Sequence, residues 1–266
     1  MNYIFYELCR PLWWRWNPPL YSETIHLGEE EAQAYLAAVA VDLTKHGFPI
    51  FLTSQTGAVA ETIIDYAQKQ DIQLMVISSH GRSGLSRWVY GSITEKVLRQ
   101  ACCATLVIRE QVEQVHGIFK ILICLDGSEV AEQALEPALT LAQGTQAEVI
   151  LLQVAPPTSL LFDLETPDQV QENLAALARD DAEAYLQTVV EKLPAMDSAI
   201  TTRTVVGHAA DAIIDEAAAL GVDLIAMSSH GRSGLSRWVY GSVTEKVLQG
   251  GKMCYPHHRG RLVDEH

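Results

Sequence analysis

From residue 118 onward the chain alternates apolar runs with helical stripes. Residues 118–125 (IFKILICL) predict a buried strand that stops at Asp126-Gly127-Ser128. From Glu129 to about Gln143, Val130, Ala134, Leu135, Ala138 and Leu141 recur at helical spacing. Residues 147–154 (AEVILLQV) predict a second buried strand, closed by Pro156-Pro157. Leu174, Leu177, Ala178, Ala182, Tyr185, Leu186, Val189 and Leu193 then mark the apolar stripe of a long amphipathic helix. AITTRTVV (199–206) alternates as a strand and ends at Gly207, DAIIDEAAAL (211–220) predicts a helix, and VDLIAMSS (222–229) predicts a buried strand. Apolar strands alternating with helices predict a parallel sheet covered on both faces.

The pattern is used twice. SSHGRSGLSRWVYGS occupies residues 78–92 and again 228–242, and the copies continue as ITEKVL and VTEKVL. At the same offset of 150, Tyr35-Leu36 matches Tyr185-Leu186, Gly57 matches Gly207, Ile63-Ile64-Asp65 matches Ile213-Ile214-Asp215, and Ala67 matches Ala217. The expected division is residues 1–115 and 116–266. Counting back 150 sets Met1 opposite Leu151, so the first unit has no counterpart of residues 118–150 and lacks the first strand and helix. ATLVIRE (104–110) predicts a final strand in the first unit, whereas CYPHHRG (254–260) does not in the second. Both ends therefore read as truncated or frame-altered.

Composition narrows the class. The hydrophobic content of 48% and charged content of 20% suit a soluble globular chain. No apolar run approaches the ~20 residues of a membrane span. The opening MNYIFYELCRPLWWRWNPPL carries Arg10 and Arg15 in its apolar stretch and no small-residue cleavage site, unlike a signal peptide. Trp13, Trp14 and Trp16 read as a proline-bounded hydrophobic loop. Five cysteines, without a CxxC pair, point to a reduced, cytoplasmic protein. A net charge of −14 disfavours nucleic acid and anionic membranes as partners. An anionic ligand would have to be held by local donors.

The repeated string offers such donors. It follows a strand and opens a helix, at the sheet edge where ligands bind in open α/β folds. Gly81/Gly231, Gly84/Gly234 and Gly91/Gly241 suggest positive φ and close approach of a ligand to the main chain. Ser92 to Glu95 and Ser242 to Glu245 fit a Ser-x-x-Glu capping box at a helix start. Exposed N–H groups, the helix dipole and Arg82/Arg232 with Arg87/Arg237 then suit a phosphate. The same residues also suit a plain turn and cap. The spacing is neither a P-loop nor a dinucleotide fingerprint. His80/His230 reads as a loop-fixing residue, and Trp88/Trp238 and Tyr90/Tyr240 as packing beneath the loop. Cys254 with His257-His258 lacks the second ligand pair a metal needs.

These residues resemble the ATP-binding branch of the universal stress protein family. That branch carries glycine, two residues, glycine, nine residues, then glycine and serine or threonine. Here Gly231, Gly241 and Ser242 match, with Ser228 in place of the first glycine, and Ser78, Gly81, Gly91 and Ser92 repeat the arrangement. ILICLDGSEVAEQAL (121–135) and VGHAADAII (206–214) resemble the family's opening strand with its turn and its third-strand exit. The resemblance spans about Glu30 to Leu248. It implies two tandem open parallel-sheet domains of the Rossmann-like, adenine nucleotide alpha hydrolase-like class, each five-stranded when complete. It also implies ATP over the strand ends of the second unit, with Mg2+ left open as a companion ion.

By the resemblance Leu125, Asp126 and Val154 lie beside the adenosine, with Met227 and Ser228 at the neighbouring strand end. Gly231, Arg232, Gly241, Ser242 and Val243 form the ribose and triphosphate loop. Ser78, Gly81, Arg82, Gly91 and Ser92 are a partial second site. Family members commonly dimerise through the fifth strand, so a homodimer through ATLVIRE is expected. The implied role is a stress-response regulator dependent on an adenine nucleotide. Two alternatives stand beside it: an interaction module without nucleotide, and an adenylyl- or phosphoryl-transfer enzyme of related fold. No residue reads as an activated nucleophile, so any ATP hydrolysis is expected to be slow.

Overall fold

A computed structural model describes residues 2–8, 18–79, 91–108, 117–157, 168–229 and 241–250. His80, Gly81, Arg82, Gly84, Arg87, Trp88 and Tyr90 of the repeated string lie outside the described residues. So do His230, Gly231, Arg232, Gly234, Arg237, Trp238 and Tyr240 of its second copy. Trp13, Trp14, Trp16, Cys254, His257 and His258 lie outside them as well. The chain divides into two compact units, one ending at Ile108 and one beginning after it.

The first unit runs β1 (Asn2–Leu8), α1 (Pro18–Thr44), β2 (Ile50–Thr56), α2 (Val59–Lys69), β3 (Leu74–Ser78), α3 (Ser92–Gln100) and β4 (Ala104–Ile108). β1 and β2 pair in parallel from Asn2–Ile50 to Leu8–Thr56, and β3 and β4 from Leu74–Ala104 to Ser78–Ile108. These are two separate two-stranded sheets. Ala60, Ala67, Met75 and Val97 are buried together, with Ile63, Ile72, Ile77 and Cys103 packed against them. The start of the chain, which the repeat sets opposite the strand of residues 147–154, is a strand: NYIFYEL is rich in the aromatic and β-branched residues that favour one.

The second unit runs β5 (Lys120–Leu125), α4 (Glu129–Glu132), α5 (Leu135–Thr145), β6 (Glu148–Ala155), α6 (Asp168–Lys192), β7 (Ile200–Val206), α7 (Ala209–Leu220), β8 (Leu224–Met227) and α8 (Ser242–Gly250). Its four described strands form one parallel sheet in the order β7-β6-β5-β8. Ile121, Leu122, Ile123, Val149, Leu151 and Leu152 are fully shielded from solvent because helices cover both faces. Two expectations need correction. The single helix expected from Glu129 breaks after Glu132, since Pro137 has no N–H to offer the carbonyl of Gln133. Leu177, placed on the buried stripe of α6, is 56% exposed; the stripe closes on Ala182, Leu186 and Val189 instead.

The pairing register also corrects the alignment of the repeat. Thr56 and Val206 are 150 residues apart, but their partners Leu8 and Ala155 are 147 apart. The first unit is thus three residues shorter between strand and helix (residues 9–17 against 156–167) and keeps the counterpart of nearly all of β6. Among the described residues the first unit has no counterpart of β5 with its helices. In the second unit that strand is central, hydrogen-bonded to both β6 and β8. The first unit's described strands pair two by two. Among the described residues no helix is long and apolar enough to cross a membrane.

Candidate functional site

β5 ends at Leu125 and the chain turns at once. Gly127, at φ +84°, takes the left-handed conformation that other residues resist. Asp126 Oδ1 accepts hydrogen bonds from the Ser128 N–H (3.0 Å) and the Ser128 hydroxyl (2.6 Å). Ser128 Oγ in turn accepts from the Ala131 N–H at 3.1 Å and caps α4. The Asp-Gly-Ser turn thereby fixes the Asp126 carboxylate at the carboxyl edge of the sheet.

On the other side, α8 begins against the end of β8. The Thr244 hydroxyl donates to the Ser228 carbonyl at 3.1 Å, and the Gly241 N–H donates to the Ser229 carbonyl at 3.1 Å. The Gly241 carbonyl accepts from Glu245 N–H, so Gly241 is the helix cap and Ser242 the first helical residue. The expected capping box is therefore out of register by one. In the first unit Gly91 likewise caps α3, with no side-chain cap bond. The expected positive φ is absent too: Gly91 stands at −57°, and Gly241 also lies outside the left-handed region. What glycine provides here is a helix start with no side chain of its own to occupy the N–H groups. A Cβ at Gly241 would meet only the Ser229 carbonyl oxygen at 3.5 Å and Thr244 Oγ1 at 3.7 Å.

Between these two edges lies a cavity of about 190 Å³. Leu125, Asp126, Val154, Met227, Ser228, Gly241, Ser242 and Val243 all line it, which brings together every site residue expected in the second unit except Gly231 and Arg232, outside the described residues. Cys124, Ala131, Leu152, Ala209, Ile213 and Thr244 complete the wall. The sequence reading missed these six. Their signal was available: Cys124 and Leu152 precede chosen residues by one and two positions, and Ile213 belongs to the repeated Ile-Ile-Asp. The Cys124 thiol is pushed up to about 12 by its burial, so it contributes apolar surface rather than a thiolate.

The first unit repeats half of this arrangement. Thr94 Oγ1 donates to the Ser78 carbonyl at 3.0 Å, and Gly91 N–H to the Ser79 carbonyl at 3.0 Å, as in the second unit. Ser78, Gly91 and Ser92 thus sit in the same frame; Gly81 and Arg82 lie outside the described residues. Among the described residues of the first unit, no strand is a counterpart of Leu125 and Asp126. By register Glu7, paired with Gln55, takes the place of Val154, paired with Val205.

Comparison with known proteins agrees with this reading of the repeat. The profile described as the universal stress protein family matches residues 16–109 and again 117–252. The chain is 24% identical over 249 residues to the universal stress protein Rv2005c of Mycobacterium tuberculosis, across 90% of this chain and 80% of that one. It is 31% identical over 137 residues to the universal stress protein YxiE of Bacillus subtilis, across 49% of this chain and 91% of that one. A universal stress protein of Archaeoglobus fulgidus shares the fold at a TM-score of 0.64 and 18% identity, covering 93% of this chain and 84% of that one. With the family profile matched twice over most of its length, the chain belongs to the universal stress protein family.

Proposed function

We propose that the second unit binds an adenine nucleotide, ATP in the first instance, and that the protein acts as a nucleotide-dependent regulator in the stress response. The observation that carries this is the cavity itself. Eight residues picked from sequence by motif converge on one hollow at the ends of β5, β6 and β8. Val154, Ile213, Met227 and Val243 offer apolar walls for a planar base. The Asp126 carboxylate is an acceptor suited to a ribose hydroxyl, and the glycine-capped start of α8 suits phosphate. About 190 Å³ is smaller than pockets that engulf whole drug-sized ligands (~300–1,000 Å³), so it fits the base and leaves the phosphates at the rim.

None of the described lining residues forms a nucleophile–base pair, which favours binding over turnover. Titrating the full chain with a fluorescent ATP analogue tests the proposal, with one site per chain expected. Gly241→Val should remove binding with only a small loss of ligand-free melting temperature, since a Cβ there makes ordinary contacts and valine is a weaker helix cap than glycine. Unaltered affinity in that variant would overturn the assignment. A homodimer through the outer edge of β4, which pairs only with β3 among the described residues, is a second reading. A clean monomer by light scattering at micromolar concentration excludes it.

A further inference from the structure

α3 ends at Gln100 and β4 begins at Ala104, and the link between them carries two cysteines side by side, Cys102 and Cys103. Both ends of the link are pinned. The Ala101 N–H donates to the Val97 carbonyl at 2.7 Å and closes the helix, and the Thr105 hydroxyl donates to the Cys103 carbonyl at 3.3 Å. Cys102 is exposed, whereas Cys103 is half-buried and packs against the cluster of Ala60, Ala67, Met75 and Val97. The Cys103 thiol feels the Cys102 thiol through both charge and a hydrogen bond. Neither is in a disulfide.

The repeat marks this pair as particular to the first unit. At the offset of 150 the second copy has Lys252 and Met253, although the helices SITEKVLRQ and SVTEKVLQG are nearly the same and end at the same place. Adjacent cysteines are poor partners for a direct bond. Neighbouring Cα atoms lie about 3.8 Å apart, against roughly 4.4–6.8 Å across an ordinary disulfide. A single larger atom set between the two sulfurs relieves that strain. Among the described residues no three His, Cys, Asp or Glu side chains gather to hold a metal ion, so a bridging centre here has two protein ligands. That suits an element that makes two angular bonds to sulfur and needs no third side chain.

We propose that Cys102 and Cys103 form a dithiol site for a trivalent arsenical carrying one organic group. Such a compound, R–As(OH)2, is uncharged, so the net charge of −14 does not oppose its approach. Each thiol displaces one hydroxyl: two As–O bonds break, two As–S bonds form, and the two thiol protons leave in two waters. Arsenic stays trivalent, and no oxidant or reductant takes part. Cys102, open to solvent, reacts first, and Cys103 then closes the ring at high effective concentration. The closed ring stiffens the link between α3 and β4. This inference is independent of nucleotide binding.

The test uses the full chain, reduced with a phosphine, and phenylarsine oxide as the probe. Intact mass should show one phenylarsenic per chain, carried by the peptide that contains residues 102–103, and excess dimercaptopropanol should remove it. Cys102→Ser should weaken uptake by about 100-fold or more, because ring closure is lost. Cys9→Ser and Cys254→Ser should leave it unchanged. Cys102 is exposed, and an unchanged melting temperature checks that its variant folds. The folded chain should hold the probe roughly tenfold more tightly than a synthetic peptide of residues 99–106, since its link is already pinned. Amide exchange should slow in α3 and β4 when the probe is bound. No uptake, or uptake that survives Cys102→Ser, overturns the proposal. So does an affinity no better than the peptide's, because the fold would then contribute nothing to the site.

Discussion

Leu74 and Leu224 hold the same place in two copies of one motif, yet the first is half exposed and the second buried. The sequence around them hardly differs. LMVI and LIAM lead into a shared string of fifteen residues, and both units form the same threonine and glycine bonds to the strand end. What differs is distant in sequence: the second unit has β5 and its helices, residues 120–145, and the first has no counterpart. The frame of strand end and helix start is thus a local structure that forms without the central strand. Burial of the strand and closure of a cavity are not local, because they need the neighbour on the sheet and the helix above it.

The largest effect should come from giving the second unit the first unit's wall. Val154→Glu places at the cavity the residue type found at Glu7. An unpaired carboxylate against Met227 and Ile213 repels both an apolar base and phosphate. Affinity for a fluorescent ATP analogue should fall by about 100-fold or more, roughly 2.7 kcal/mol. A loss under threefold would show that Val154 does not face the ligand.

The next effect is on stability, in a matched pair. Leu224→Ala should cost the second unit about 2–4 kcal/mol, in the range for truncating a buried leucine. Leu74→Ala should cost the first unit less than about 1 kcal/mol, since that side chain already meets water. Amide exchange under rising denaturant, read separately in peptides from each unit, gives both values. Equal costs would mean that Leu74 is covered in solution.

The smallest effect is electrostatic and belongs to the first unit. Lys96 hydrogen-bonds the exposed Glu61 carboxylate and, with a backbone bond, holds it below its ordinary value of 4.5. A lowered folded pKa contributes stability above 4.5 that is lost as pH falls through the folded value. Glu61→Gln should therefore lower the first unit's stability slightly at pH 7, and by less as pH falls below 4.5. A difference between variant and parent that does not shrink on acidification would rule out the ion pair as its source.

Much of the molecule was legible before any coordinates. Apolar runs and helical stripes marked β5 to β8, because each segment's pattern reflects the two faces it must bury. Eight of the cavity residues were legible: Gly241 and Ser242 from the repeated string and its helix start, and Leu125, Asp126, Val154, Met227, Ser228 and Val243 through the family resemblance. The break at Pro137 was legible in principle, since the missing N–H is a property of one residue. The exposure of Leu177 was not, since a helical stripe has no knowledge of where its neighbours end.

What the sequence determined by itself is the local part: two copies of one strand–loop–helix motif, their caps, and an alternation that requires parallel strands. Only the tertiary structure decided three further things. The strand absent from the first unit is the central one, the two halves of the repeat are three residues out of step at β1, and Leu74, Val76 and Ile108 meet solvent where the second unit's counterpart of Leu74 does not. The physical reason is that a parallel strand's partners are set by crossovers of many residues. Which edge is filled and which face is covered depends on chain far away in sequence, and no window of neighbouring residues carries that information.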